Sequence, residues 1–250
     1  MSEPIHHVNA DLYAHDLFDR WANEQGIIAA EALLIRTYFT DATKSVLEAG
    51  TGGGRIAFYL EQLGFKDIQA FDIVPKMIAH ARELAEKKQS AVQFQVANAA
   101  DLSIYPDQQF DYLIYPQQVL CFIEDRTLFH TALREAYRVA KPGSVCVFSF
   151  LDYEARWYNP ILSSVLVLLR RLRGEKGTGY DLPWLKLNGA VNKKFFHKHQ
   201  PVLYWVRRKK ITEELQHIGF TMVDVKNAGE LENPAQGKRS GMLYLICTRP

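Results

Sequence analysis

The chain has 250 residues, of which 48% are apolar and 23% charged, with a formal net charge of +2. These values suit one globular domain, or one domain with an insertion, and exclude disorder and fibrous repeats. Three widely spaced cysteines, Cys121, Cys146 and Cys247, with no C-x-x-C pair, exclude a disulfide frame and a thiolate zinc site.

The polar start, Met1–His7, is not followed by a signal-peptide core, and reduced thiols point to a cytoplasmic location. The longest apolar run, Ile161–Leu169, is too short to span a bilayer. Residues 8–40 are predicted helical, with Leu17, Trp21, Ile27, Ile28, Leu33, Leu34 and Tyr38 on an apolar stripe. A first strand over 45–49 runs into glycines at 50, 52, 53 and 54, then into a helix over 53–63 that stops at Gly64. Asp67–Asp72 is the second strand, and Pro75 opens the next helix. Ala91–Ala97 alternates at Val92, Phe94 and Val96 as a third strand, and Phe110–Tyr115 is a continuous apolar fourth. A helix over about 126–139 ends at Lys141-Pro142-Gly143, before a fifth strand, Ser144–Leu151. Ile211–Ile218 is a helix ended by Gly219, and Phe220–Lys226 and Met242–Cys247 are two closing strands. Asn227–Ser240, between them, reads as a surface loop.

Alternating strands and helices with short links predict an α/β, doubly wound, mostly parallel seven-stranded sheet. Its ligand belongs at the carboxyl ends of the strands. Glu48–Gly54, Asp72, Asn98 and Tyr115 all fall at such ends and are expected to converge.

The glycine loop has two registers. Gly52-Gly53-Gly54-Arg55-Ile56-Ala57 fits the dinucleotide fingerprint G-x-G-x-x-G/A, with Asp72 about 20 residues beyond Gly52 as a ribose acid. The register Glu48-x-Gly50-x-Gly52-x-Gly54 includes the acid, and a carboxylate there suits an ammonium and repels a pyrophosphate. In either register the glycines would let a ligand approach the backbone, and the first helical N–H groups would point at it. A turn held only for tightness is the third reading.

The second register resembles the first motif of the class I S-adenosylmethionine-dependent methyltransferases. Four further segments, in order, resemble that family. They are Ala70-Phe71-Asp72-Ile73, Asn98-Ala99-Ala100-Asp101-Leu102, Phe110-Asp111-Tyr112 and Arg138-Val139-Ala140-Lys141-Pro142-Gly143, and the passage Glu213–Phe220 follows them. Ala97 and Asn98 stand where the family commonly has Gly and Asp. The resemblance covers about residues 10–150 and 211–250. It implies that Glu48, Gly50, Thr51, Gly52 and Gly54 hold the amino-acid part of S-adenosylmethionine. Asp72 would take the ribose, Ile73 would stack on adenine, and Asn98 and Ala99 would read the adenine edge, Asn98 through its amide oxygen. Tyr115 would offer a backbone carbonyl or shape the methyl-transfer mouth, and Tyr13 and Trp21 would close over the cofactor.

Methyl transfer needs alignment and desolvation, with a base only for a protonated acceptor. Tyr115-Pro116-Gln117-Gln118 departs from the Asn/Asp-Pro-Pro-Tyr/Phe motif of nucleic-acid N-methylating members. Gln117 and Gln118 would orient a substrate or cap the next helix. His197, His199 and Tyr115 are the candidate catalytic residues; no metal is expected, because no third ligand stands at sensible spacing.

Residues 151–210 hold 13 Lys/Arg against 4 Asp/Glu, a net +9 on a remainder of −7, with Trp157, Tyr158, Trp184 and Trp205 among them. This insertion is read as an aromatic lid in which Trp157 and Tyr158 meet substrate, as an amphipathic Ile161–Arg173 element at a membrane surface or lipid-like acceptor, or as an RNA-binding segment. The single domain thus divides into an N-terminal helical cap (1–43), a cofactor-binding core (44–150), a basic lid (151–210) and a closing helix with two strands (211–250). Methyl transfer to a small or amphiphilic, anionic acceptor is the expected function. RNA methylation, an NAD(P)-dependent oxidoreductase and a non-catalytic binding module are the alternatives. The oligomeric state is not readable from the sequence.

Overall fold

A computed structural model describes residues 18–24, 26–156, 160–174, 186–187, 190–191, 203–232 and 242–250. The central sheet contains β1 (Val46–Ala49), β2 (Ile68–Asp72), β3 (Gln93–Val96), β4 (Phe110–Tyr115) and β5 (Ala140–Asp152). A two-residue β6 (Trp205–Val206), then β7 (Thr221–Asn227) and β8 (Met242–Thr248), complete it. The order is β3-β2-β1-β4-β5-β8-β7, with β6 beside the end of β5. The first five strands run parallel, and β8 is antiparallel to both β5 and β7. This is the doubly wound seven-stranded sheet that the strand–helix alternation predicts.

The strands carry apolar residues on both faces because both faces are covered. Val46, Ile68, Tyr112 and Ile246 pack in one core with α2 (Ala29–Tyr38), α3 (Arg55–Gln62) and α4 (Pro75–Lys88). Leu47, Leu113, Phe148 and Leu245 pack in the other with α5 (Arg126–Val139), α6 (Pro160–Leu172) and α7 (Arg208–Ile218). Asp125 caps α5 by accepting the Thr127 and Leu128 amides at 2.6 and 3.1 Å, a contact worth about 1 kcal/mol. The Lys-Pro-Gly turn is a bulge inside β5: pairing jumps from Phe110–Ala140 to Tyr112–Val145, and Gly143 takes a φ of +80°.

Several details differ from the sequence expectations. The long N-terminal helix is two helices among the described residues, α1 (Phe18–Asn23) and α2, separated at Gly26. Tyr13 lies outside the described residues. Val96 is 45% exposed, breaking the expected alternation on the edge strand β3. The expected loop after residue 227 begins instead as a short helix, α8 (Ala228–Glu232). Asn227 Oδ1 accepts the Glu230 amide at 2.9 Å, and the Glu230 carboxylate accepts the Asn227 amide at 2.7 Å. That reciprocal pair is a capping box.

In the insertion, Trp157, Tyr158, Trp184, His197 and His199 lie outside the described residues. Tyr204 and Trp205 are buried, and β6 pairs with Leu151 and Asp152 of β5, so these two rings belong to the core and do not present a base-stacking surface. No helix among the described residues is long and apolar enough to cross a membrane.

Candidate functional site

A cleft of about 1210 Å³, counting the mouth that opens to solvent, lies at the carboxyl ends of β1, β2 and β4. Glu48, Gly50, Thr51, Gly52, Asp72, Ile73, Asn98 and Ala99 all line it. Of the residues expected to converge from the strand ends, Glu48, Gly50, Thr51, Gly52, Asp72 and Asn98 line the cleft, and Gly53, Gly54 and Tyr115 do not.

The glycine loop is organised by the two acids. Glu48 is buried, and its Oε2 accepts the Thr51 hydroxyl at 2.8 Å and the Ala57 amide at 2.9 Å. Burial pushes the Glu48 carboxyl up to about 8, despite those two hydrogen bonds and the nearby Arg55 charge. Asp72 accepts the Gly52 amide at 2.9 Å through one oxygen and the Val74 amide at 2.9 Å through the other. Burial also raises its pKa, against those same hydrogen bonds. Each carboxyl keeps acceptor capacity and lacks a full counter-charge, which suits a ligand bearing cationic and hydroxyl groups.

The loop's own donors are largely satisfied within the protein. Besides Ala57 and Gly52, the Gly53 amide donates to the Trp21 carbonyl at 3.2 Å and the Gly54 amide to the Thr51 carbonyl at 2.9 Å. A dinucleotide's pyrophosphate would need such donors. Of the first helical N–H groups, that of Ala57 is answered by Glu48 and does not point at a ligand, which weakens the dinucleotide register. The glycines are also needed for packing against the protein itself. A Cβ on Gly53 would strike the Ala22 carbonyl of α1, and one on Gly50, whose φ is +64°, would strike Val119.

The comparisons with known proteins agree with this geometry. A family model described as "Methyltransferase domain" matches residues 47–148. The chain is 32% identical over 148 residues to phosphoethanolamine N-methyltransferase 3 of Arabidopsis thaliana, covering 59% of this chain and 27% of that protein. It is 33% identical over 118 residues to a demethylmenaquinone methyltransferase of Deinococcus radiodurans, covering 46% and 44%. The matched segment thus spans less than half the length of either relative. The 1,6-didemethyltoxoflavin-N1-methyltransferase of Burkholderia thailandensis, solved with S-adenosylhomocysteine, superposes with a TM-score of 0.63 at 17% identity, covering 100% of this chain and 93% of that one.

Residues 47–148 carry a methyltransferase domain, on the fold of the class I S-adenosylmethionine-dependent methyltransferases. Its cofactor is S-adenosylmethionine. Neither the dinucleotide nor the RNA alternative gains support from these relatives.

Two candidate residues of this methyltransferase stand elsewhere than expected. The Tyr115 ring is fully buried against Phe148 at 5.1 Å between centroids and does not line the cleft. Burial holds its hydroxyl well above the usual tyrosine range, so the side chain is no base and shapes no mouth. Gln118 is also buried and donates to the Ser149 hydroxyl at 3.2 Å, away from the cleft. Asn98 lines the cleft, but its Oδ1 accepts the Ala100 amide at 2.9 Å, which leaves its NH₂ as the donor for a ligand.

Gln117 does reach the cleft. Gln117 and Gln118 both adopt left-handed backbone, with φ of +49° and +57°, a strain of about 1–3 kcal/mol per residue. The Gln117 amide donates to Glu31 Oε1 at 2.8 Å, and Arg55 donates to Glu31 Oε2 at 2.8 Å. This buried network fixes the cleft wall and is not visible in the sequence, because Glu31, Arg55 and Gln117 come from three separate segments.

The sequence reading also misses an apolar wall made by Val119, Phe122, Ile123 and Leu128. A signal for it exists: the uninterrupted apolar run 119–123 directly after a strand end. The 3₁₀ turn Val119–Phe122 carries the start of it. Trp21 and Glu24 also line the cleft.

Proposed function

We propose that the protein transfers the sulfonium methyl group of S-adenosylmethionine to a small, amphiphilic acceptor with an anionic or polar head. The observation that carries this reading is the mixed lining of the cleft. It combines the under-compensated carboxyls of Glu48 and Asp72 with the apolar side chains of Val119, Phe122, Ile123 and Leu128.

Glu48 would receive the cofactor's ammonium, and Asp72 the ribose hydroxyls through its remaining lone pairs. Ile73, 38% exposed in the cleft, would pack on adenine while the Asn98 NH₂ and the Ala99 backbone meet the adenine edge. The backbone carbonyl of Tyr115, and not its side chain, would serve the amino group. Bound there, the cofactor supplies an electrophilic methyl group for in-line displacement.

The protein's part is proximity, alignment and exclusion of water. Among the described lining residues there is no His, Lys, Cys or Tyr. An acceptor with an available lone pair therefore fits best, and Glu24 is the lining carboxylate left over from the cofactor roles for one that must lose a proton. The anionic character follows from the net +9 of residues 151–210. The two curated relatives named above act, by their names, on phosphoethanolamine and demethylmenaquinone, one charged and one apolar, and both kinds of group suit this mixed lining.

Calorimetric titration with S-adenosylhomocysteine, with NADH and NADPH in parallel, tests the cofactor. Binding of S-adenosylhomocysteine alone is expected, and binding of a reduced nicotinamide alone would overturn the reading. Mass spectrometry of phosphoethanolamine and quinone panels incubated with S-adenosylmethionine tests the acceptor. Methylation confined to fully hydrophilic acceptors would refute the role given to the apolar wall.

A further inference from the structure

Helix α6 presents an apolar stripe to solvent. Ile161 is 79% exposed, Val165 43%, Leu168 58% and Leu172 76%. At about 100° per residue, these four positions fall within about 60° of one another. Leu166, on the opposite side of the helix, is buried in the core. The helix is therefore held by one face and shows a second apolar face outward, the kind of contiguous patch that marks an interaction surface. Arg171 and Arg173, both exposed, flank the end of the stripe.

We propose that α6 docks this protein on an anionic lipid bilayer. Ile161, Val165, Leu168 and Leu172 sink to the headgroup–acyl boundary, and Arg171 and Arg173 meet lipid phosphates. Thirteen helical residues reach only about 20 Å, so the helix lies in the interface plane and does not span it.

Charge selects the occupant. The stripe sits within the segment of net +9, which is attracted to an anionic surface. Placement agrees. Helix α6 follows the carboxyl end of β5, the strand parallel to and paired with β4, so it starts from the same edge of the sheet as the cleft.

The test is co-sedimentation of the full chain with vesicles of phosphatidylcholine alone and of phosphatidylcholine mixed with phosphatidylglycerol, at low and high salt. Binding to the mixed vesicles, weakened by salt, is expected. The double substitution Ile161→Ser and Leu168→Ser should lower that binding at least about tenfold, with circular dichroism and melting unchanged because both side chains are exposed. Arg171→Glu with Arg173→Glu should abolish the preference for phosphatidylglycerol. Failure to bind the mixed vesicles, or unchanged binding by the Ser pair, would overturn the proposal. So would a concentration-dependent dimer in sedimentation velocity that Leu168→Ser disperses, since the stripe would then be a self-interface. S-adenosylhomocysteine affinity, measured in parallel, should be equal in all variants, which separates this proposal from the methyl-transfer reading.

Discussion

Glu48 and Ala57 are joined across the glycine loop by a 2.9 Å hydrogen bond from the first-turn amide of α3 to the buried carboxyl. The helix N-terminus is thereby answered by an acid of the protein itself. That single contact separates a site for a cationic ligand from one for a pyrophosphate, although both share the same glycine spacing.

Glu48 gives the first prediction. Its carboxyl is raised from 4.5 to about 8 by burial. Between those values the native state holds a proton that the unfolded chain has lost, so this group makes stability fall as pH rises from about 4.5 to about 8. Glu48→Gln should flatten that slope in urea unfolding followed across the range. A cationic ligand group would stabilise the carboxylate, so S-adenosylhomocysteine binding at pH 7 should release protons. Calorimetry in buffers of different ionisation enthalpy should show that release shrinking above about pH 8 and vanishing in Glu48→Gln. Release that persists in the mutant would remove Glu48 from the ammonium site.

Asp72 holds the loop and faces the cleft at once. Asp72→Ala should weaken S-adenosylhomocysteine at least about a hundredfold, the loss of two hydrogen bonds to a charged acceptor. The cooperative melt should survive, because the residue sits at the end of β2 and not in either apolar core. Unchanged affinity would refute the ribose assignment.

The sheet and the polar lining of the cleft are legible in the sequence because their signals are local. Apolar runs of five or six residues, a glycine cluster and an acid at a strand's end each declare themselves within a few positions. What is not legible depends on distant partners. Tyr115 looks like a cleft residue from its place after β4, but side-chain alternation turns it into the core that holds Phe148. Gln117 and Gln118 are neighbours with one expected role, yet successive left-handed residues send one amide to Glu31 and the other to Ser149. The Asn227–Glu230 capping box is local, and its N-x-x-E pattern marks a helix start that a polar composition disguises as loop.

The network behind Gln117 yields the next prediction. Glu31 is buried and pairs with Arg55 at 2.8 Å. Glu31→Ala should destabilise the fold by about 3–5 kcal/mol, because it strands a mostly buried guanidinium. The Gln117 amide would also lose its acceptor, so cofactor or acceptor binding should soften as well. Glu31→Gln keeps one acceptor oxygen and should cost less; equal losses in the two variants would show that packing, and not the ion pair, matters here.

Gly53 tests how the cap is seated. Its missing Cβ leaves room for the Ala22 carbonyl, and its amide donates to the Trp21 carbonyl at 3.2 Å. Gly53→Ala should push α1 off the loop and cost about 1–3 kcal/mol of overpacking in urea unfolding. Since Trp21 lines the cleft, S-adenosylhomocysteine affinity should fall in parallel. Proteolysis within residues 18–24 should accelerate; unchanged cleavage and affinity would mean that α1 does not depend on this contact.

Asp111, at the opposite edge of the sheet from the cleft, sets the acid limit. Burial alone would raise its pKa, but hydrogen bonds from Lys141 Nζ at 2.7 Å and from the Ser45 hydroxyl and amide at 2.8 and 3.1 Å outweigh that and bring it to about 2. A folded-state value below the unfolded one means the contribution is present above about pH 4 and is lost as pH falls towards about 2. Asp111→Asn should therefore lower stability at about pH 6 and leave it nearly unchanged at about pH 2, narrowing the difference between the two. The substituted amide could still pair with Ser45 but not with the Lys141 charge, so Lys141→Met should reproduce most of the loss. If Asp111→Asn instead shifts stability equally at both pH values, the contribution is packing or hydrogen bonding alone, and the Lys141 ion pair is not its source.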